Sequence, residues 1–159
     1  MRRIGLHPRR ARRIATRLVP ETGDVDAFVR AVAHHRGRRI VTMAQELGHE
    51  APTGYWISTI DADYVVYPID SNADQRAVII CHELAHMLLD HQPPEGTLDL
   101  GQLAPSIDPA IAARFLARHG FYEVMEVDAE NMATQLMTEL NRRADRHELE
   151  RDTISARLR

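Results

Sequence analysis

The chain has 159 residues, of which 44% are hydrophobic, and it carries a formal net charge of −3. Its length and apolar content fit one folded domain and exclude wholesale disorder. The single cysteine, Cys81, excludes an internal disulfide framework and fits a reducing compartment. No stretch approaches about 18 uncharged apolar residues, and no apolar signal segment follows the basic start, so we expect a cytoplasmic protein with no membrane partner.

Positive charge is concentrated at the N-terminal end. Residues 1–40 hold eleven arginines and three acidic residues, a local balance of +8, and the chain contains no lysine. Such a segment is typical of an arm that binds nucleic acid or an acidic partner, and equally of a solvated helix face. Phe28 is its only aromatic residue, and no helix-turn-helix pattern is evident. We therefore do not expect direct binding of nucleic acid, and we interpret the segment as a flank or a partner-docking surface.

The first half of the chain predicts two helices followed by three strands. The helices cover residues 8–19 and 22–36. Pro20 separates them, Thr22 or Asp24 would cap the second helix, and Gly37 would end it. Three segments rich in β-branched and aromatic residues predict strands at residues 38–43, 54–60 and 63–69.

The second half of the chain predicts helices and no further strand. The helices cover residues 72–90, 108–119 and 122–150. Asp70 or Ser71 is the expected N-cap of the first of them, and the prolines and glycines of residues 92–107 predict an irregular loop. Because the strands are adjacent in sequence and helices flank them, we predict an α+β fold with a small three-stranded sheet packed on helices.

The helix predicted at 72–90 contains the sequence His82-Glu83-Leu84-Ala85-His86. Residues four apart advance about 6 Å along a helix and return to nearly the same face, so the two histidines can ligate one zinc ion. Glu83 would act on a water molecule without ligating the metal, as in the metalloprotease signature H-E-x-x-H. Polar side chains on this largely apolar helix need a partner, which zinc would supply.

A third ligand must come from another element, because Gln92 stands where the extended HExxHxxGxxH motif has its third histidine. Glu126 is the best candidate, since it extends an apolar stripe of the 122–150 helix. That stripe comprises Ala129, Met132, Ala133, Leu136 and Leu140. Packing of the two helices would bring Glu126 to the histidines, although the helix dipole also favours a glutamate in a first turn. The competing ligands are Glu123, Asp128, Glu130 and His119.

Two segments resemble the ImmA/IrrE family of zinc metallopeptidases. Residues 80–91, ICHELAHMLLDH, are similar to the family's HExxH helix, and residues 126–137, EVDAENMATQLM, are similar to its E-x-x-A-x-x-F-A-x-x-L-L signature. Met132 stands in place of the usual phenylalanine, a volume-tolerant change. The resemblance covers about residues 25–140 and implies a compact zincin-like α+β domain.

The resemblance implies that His82, His86 and Glu126 ligate zinc and that Glu83 is the catalytic base. It further implies an endopeptidase that cleaves or inactivates a helix-turn-helix (XRE-like) repressor and thereby induces a mobile element, a phage or a stress response. The alternative is a non-cleaving anti-repressor, or a toxin–antitoxin-type binding protein with a zinc site. We accordingly expect three parts: a basic helical segment at 1–20, a metallopeptidase domain at 21–141 and a charged helical extension at 142–159.

Other side chains have candidate roles around these ligands. Tyr122 and His119 could stabilise an oxyanion, because they are close in sequence to the third ligand. Glu130, one turn after Glu126, could accept a hydrogen bond from an imidazole N–H group. Cys81 is rotated by about 100° from the first ligand on the helix, so we predict that it packs in the core.

Overall fold

The computed structural model describes residues 8–46, 54–91 and 122–157. These residues form four helices and one three-stranded sheet. The elements in chain order are α1 (Pro8–Leu18), α2 (Val25–Arg36), β1 (Ile40–Gln45), β2 (Tyr55–Ser58), β3 (Asp63–Pro68), α3 (Ala73–Leu88) and α4 (Tyr122–Arg157). The α+β class is confirmed, whereas the loop predicted at 92–107 and the helix predicted at 108–119 lie outside the described residues.

Local side-chain and backbone caps define the ends of α2. The Asp24 carboxylate accepts a hydrogen bond of 2.6 Å from the backbone N–H of Ala27, which satisfies a donor in the first turn. Gly37 ends the helix in the left-handed conformation, with φ of 63°. Both residues act as the sequence predicts, with Asp24 rather than Thr22 as the cap.

The start of α3 is a capping box. The Asn72 side chain accepts a hydrogen bond from the backbone N–H of Gln75, and the Gln75 side chain accepts one from the backbone N–H of Asn72, both at 2.9 Å. The prediction of Asp70 or Ser71 as the N-cap is wrong, because the reciprocal bonds require the acceptor to stand three residues before Gln75.

The sheet is mixed, with β3 in its centre. β1 pairs with β3 in parallel, so that Ile40 lies opposite Asp63. β2 pairs with β3 antiparallel, so that Trp56 lies opposite Val65. Val65 has no exposed surface, as expected for a central strand covered by helices. The three predicted strands are confirmed, and β1 and β2 form the two edges of the sheet.

Helices α3 and α4 pack together through the apolar stripe that the sequence predicts on α4. Its five residues are all buried: Ala129, Met132, Ala133, Leu136 and Leu140. α3 contributes Ile80, Leu84 and Leu88 to the same core, and α1 contributes the small side chains of Ala11 and Ala15. The core therefore lies directly behind the face of α3 that carries the histidines.

Helix α4 is 36 residues long and extends beyond its predicted end at residue 150. Arg143 hydrogen-bonds the backbone carbonyls of Thr16 and Val19 and pairs with Glu21, which fastens α4 to α1 and the following turn. Beyond that point the helix is largely exposed. In the part of the chain that the structure describes, no helix combines the length and the apolar character needed to cross a lipid bilayer.

A buried carboxylate connects the sheet to the helices. The Asp63 side chain has no exposed surface and lies 3.0 Å from the Arg38 Nε atom and 3.4 Å from an Arg36 guanidinium nitrogen. Arg36 also donates a hydrogen bond of 2.6 Å to the carbonyl of Met87 and lies over the ring of Trp56. One side chain at the end of α2 thus contacts β2, β3 and the last turn of α3.

Candidate metal centre

Helix α3 presents two histidines on one face. The Nε2 atoms of His82 and His86 are 3.0 Å apart, and the side chains are 29% and 12% exposed. Cys81, Leu84 and Ala85, which lie between and beside them, are completely buried in the core. Because these apolar neighbours hold the helix in place, helix packing also fixes the direction of both imidazoles.

Helix α4 brings Glu126 to the two histidines. Its Oε2 atom lies 3.1 Å from His82 Nε2, and its Oε1 atom lies 3.3 Å from His86 Nε2. Ala129 and Met132, the next residues of the apolar stripe, are buried between the helices, which places Glu126 beside α3. The carboxylate itself is 46% exposed, so the group opens to solvent on this side.

These three residues form a group that can hold a metal ion. One ligand atom from each lies within 4.8 Å of the others. Donor atoms bound at about 2.0–2.1 Å in a tetrahedral arrangement are separated by about 3.3 Å. The closest separations between the three side chains are 3.0, 3.1 and 3.3 Å. Two imidazole nitrogens and a carboxylate oxygen at this spacing therefore fit a divalent metal ion.

The protonation state of His86 suits metal binding. Burial, followed by the proximity of His82 and His91, lowers the pKa of His86 to about 3. His86 is consequently neutral at neutral pH. Because a metal ion binds the lone pair of a neutral imidazole, no proton has to leave His86 before binding.

Glu83 adjoins the group but is directed into the protein, and it is only 8% exposed. Burial, and secondly the charge of Glu126, raises its pKa to about 8. A hydrogen bond donated by the backbone N–H of Trp56 acts in the opposite direction, because it stabilises the carboxylate. Trp56 belongs to β2, so both α3 and the sheet edge hold this carboxyl group. A carboxyl group with a pKa near neutrality is suited to accept and release a proton.

His91, which the sequence analysis does not assign to the site, contacts one of the ligands. Its Nδ1 atom lies 2.9 Å from Nδ1 of His86, and the ring centroids are 5.1 Å apart. Burial lowers the pKa of His91, and the charges of Asp128, Glu126 and Asp90 oppose this effect. No sequence pattern indicates this contact, because it depends on how the chain turns at the end of α3.

Two of the other candidate residues, Glu130 and Asp128, are described by the structure and lie outside the metal-binding group. Glu130 is exposed and forms no hydrogen bond or ion pair with either ligand histidine, because it lies about 6 Å farther along α4 than Glu126. Asp128 is not part of the group. His119 and the side chains of Tyr122 and Glu123 lie outside the described residues, so their predicted roles stay predictions.

Cys81 lies in the core, as predicted. It has no exposed surface, and burial raises the pKa of its thiol to about 12. The thiol is therefore protonated at neutral pH, and Cys81 is not part of the metal-binding group. Its position on α3 leaves the metal-binding group with nitrogen and oxygen donors.

Comparison of the chain with protein-family models, with curated proteins and with solved structures gives no match. The resemblance to the ImmA/IrrE family stays a prediction that rests on residues 80–91 and 126–137.

Proposed function

We propose that this chain is a zinc-dependent endopeptidase of the ImmA/IrrE type, with a zincin-like fold, that cleaves or inactivates a helix-turn-helix repressor. The observation that carries the proposal is the group formed by His82, His86 and Glu126 beside the buried carboxyl group of Glu83. Two imidazoles and a carboxylate are the ligand set of many catalytic zinc sites. In addition to these ligands, HExxH peptidases have a glutamate directly after the first histidine, as this chain does.

Zinc in this position would supply Lewis acidity towards a peptide carbonyl and a water molecule. Glu83 takes a proton from the attacking water and delivers it to the nitrogen of the leaving amine. The backbone N–H of Trp56 donates a hydrogen bond to the carboxyl group, which restricts its orientation. Its raised pKa makes the carboxylate a stronger base and so favours the first half of this cycle, in which the proton is taken from water.

The repressor as substrate comes from the resemblance of residues 80–91 and 126–137 to the family signatures. In such a system the substrate makes the contact with DNA. The basic segment 1–40, with its local charge of +8, then serves as a flank or a docking surface rather than as a DNA-binding arm.

Metal analysis tests the site. We expect the purified protein to hold one zinc ion per chain, and we expect His82→Ala and Glu126→Ala each to weaken zinc binding strongly. His147→Ala is the matched control, because this histidine lies on the exposed part of α4. Stoichiometric zinc at unchanged affinity in Glu126→Ala would remove Glu126 from the ligand set.

Cleavage of a helix-turn-helix repressor encoded beside this chain tests the activity. We expect co-incubation to give defined fragments by mass spectrometry, and we expect Glu83→Gln to keep zinc and fold but to lose cleavage. Glu148→Gln, an exposed change of the same chemistry, serves as the control. If Glu83→Gln still relieves repression fully in cells, the chain acts as a non-cleaving binding protein and the peptidase proposal fails.

A further inference from the structure

The end of α3 is a tight turn built around an unusual residue. Asp90 has φ of 58°, the left-handed conformation that glycine usually supplies at this place. The backbone N–H of His91 donates a hydrogen bond of 3.0 Å to the carbonyl of His86, and the N–H of Asp90 donates one of 3.3 Å to the carbonyl of Met87. This pair of bonds is the Schellman motif, which reverses the chain at the end of a helix.

The turn returns the His91 side chain to the ring of His86. The same two residues are therefore joined twice, through the backbone bond and through their Nδ1 atoms at 2.9 Å. Two aromatic nitrogens at this distance share one proton, because one must donate and the other must accept. Which one donates decides which nitrogen of His86 keeps its lone pair.

The position of the other ring nitrogen of His86, Nε2, decides which of the two Nδ1 atoms must donate the hydrogen bond if His86 is to bind a metal ion. Nε2 of His86 faces Nε2 of His82 at 3.0 Å and Oε1 of Glu126 at 3.3 Å. For this Nε2 atom to act as a ligand, the proton of the neutral ring has to be on Nδ1. The Nδ1–H group then donates to Nδ1 of His91, which must carry a lone pair.

We propose that His91 is a positioning residue that accepts the Nδ1–H of His86 and so keeps the Nε2 lone pair of His86 directed at the metal-binding group. The αL turn at Asp90 is the backbone device that brings His91 into place. This inference rests on the proposed function for its purpose, since the ligand role of His86 belongs to that proposal. Hydrogen-bond partners of metal-binding histidines fix the tautomer and orientation of the ring in this way.

Two substitutions of His91 separate hydrogen bonding from packing. In His91→Asn the side-chain carbonyl can occupy the position of Nδ1 and accept the same hydrogen bond. In His91→Leu the bulk remains but the acceptor is lost. Circular dichroism and thermal melting show whether both variants fold like the parent chain.

The first readout is the tautomer of His86 in the metal-free protein, measured by long-range nitrogen–proton NMR of the imidazoles. We expect the Nδ1–H tautomer in the parent chain and in His91→Asn, and a shift towards the Nε2–H tautomer in His91→Leu. A parent chain in which His86 carries its proton on Nε2 would overturn the inference, whether or not the protein binds zinc.

The second readout is the Kd for zinc, measured by competition with a chromophoric chelator. We expect His91→Leu to bind zinc about 10- to 100-fold more weakly and His91→Asn to recover most of that loss. Asp90→Gly keeps the left-handed turn and should retain the affinity, whereas the β-branched Asp90→Val opposes it and should behave like His91→Leu.

The outcomes distinguish this inference from the proposed function. If the parent chain binds zinc and folded His91→Leu binds it equally tightly, His91 does not position His86, while the zinc site stands. The parent chain could instead bind no zinc although His86 has the Nδ1–H tautomer. In that case the proposed function fails. The hydrogen bond to His91 is then only a structural contact, and its positioning role towards a metal is overturned.

Discussion

Among the described residues, two acidic side chains are buried, and their surroundings differ. Asp63 lies between the guanidinium groups of Arg36 and Arg38, which neutralise it. Glu83 has no cationic partner, and its only described hydrogen bond comes from a backbone N–H group. A buried carboxylate paired with arginine holds a fold together, whereas an unpaired one with a raised pKa is typical of a site that moves protons.

The pairing of Asp63 predicts a large effect on stability. We expect Asp63→Asn to reduce the free energy of unfolding by about 3 kcal/mol, because it leaves two arginines facing a neutral side chain. Urea denaturation followed by circular dichroism measures this change. Asp61→Asn, two residues away on the surface, should have almost no effect. Equal stability of the two variants would show that the arginine cluster does not contribute.

At the scale of residues, much of the candidate metal centre was predictable. The HExxH spacing identifies His82 and His86, and the position of Glu126 on an apolar stripe identifies the third member of the group. His91 was not predictable from patterns, because its approach depends on a left-handed turn at Asp90, where glycine would be the usual signal. Asp63 was likewise assigned only to a strand, since its partners come from a distant helix end.

At the scale of elements, close backbone contact fixes the position of α4. Gly23 has φ of 66°, and a Cβ atom at this position would lie 2.7 Å from the Cβ atom of Ala144 and against the carbonyl of Leu140. Gly37 has a similar φ of 63° but open space around it. The two glycines therefore separate the effect of backbone conformation from the effect of helix packing.

We expect Gly37→Ala to cost about 1 kcal/mol of stability, which is the strain of a left-handed alanine. Gly23→Ala adds a collision with the backbone of α4, so we expect a loss of about 3 kcal/mol. Urea denaturation compares the two variants directly. Similar losses at both positions would mean that α4 can move away from the turn without cost.

A cluster of ion pairs within α4 also predicts a pH dependence. Hydrogen bonds from Arg142 and then Arg143 lower the pKa of Glu139 to about 2. A glutamate whose pKa is lowered in the folded state stabilises the fold at pH values above the ordinary glutamate pKa. This contribution disappears as the pH falls towards 2. Since the group is near the surface, the effect stays below about 1 kcal/mol.

We therefore expect Glu139→Gln to be slightly less stable than the parent chain at pH 7, with the difference shrinking between pH 4.5 and pH 2. Thermal melting at several pH values measures it, and Glu148→Gln controls for the loss of one exposed charge. A difference that stays constant down to pH 2 would contradict the assigned cause.

Local rules predicted the elements better than their arrangement. Asp24 and Gly37 cap α2 as expected, because these preferences act within a few residues. The strand order β1-β3-β2 and the parallel pairing of β1 with β3 were not predictable, since they depend on contacts between distant segments. The cap at Asn72 was missed because neighbouring polar residues have similar propensities, and only the reciprocal bond with Gln75 decides between them.

At the scale of the whole molecule, α4 has a packed part and a projecting part. Leu140 is buried and Arg143 contacts α1, whereas Leu149 and Ile154 are 68% and 58% exposed. The helix passes without interruption through residue 142, where the charged extension was expected to begin. The folded body therefore depends on α4 up to about its contact with Gly23, and the remainder projects from it.

Truncation tests this division. We expect removal of residues 149–159 to reduce the helical circular dichroism signal but to change the free energy of unfolding by less than about 0.5 kcal/mol. Removal of residues 138–159 deletes Leu140 and Arg143, and we expect it to prevent stable folding. A large loss of stability from the shorter truncation would show that the projecting part is held by the body.

The bond between Glu83 and the backbone N–H of Trp56 also bears on aggregation. β2 is an edge strand, and outward-facing donors on such a strand can pair with a strand of another chain. Glu83 accepts the hydrogen bond of one such donor, so we expect the carboxyl group beside the metal-binding group also to hinder intermolecular pairing at this edge. Glutamine at this position keeps an acceptor for the same N–H group, whereas alanine leaves both the site and the sheet edge without it.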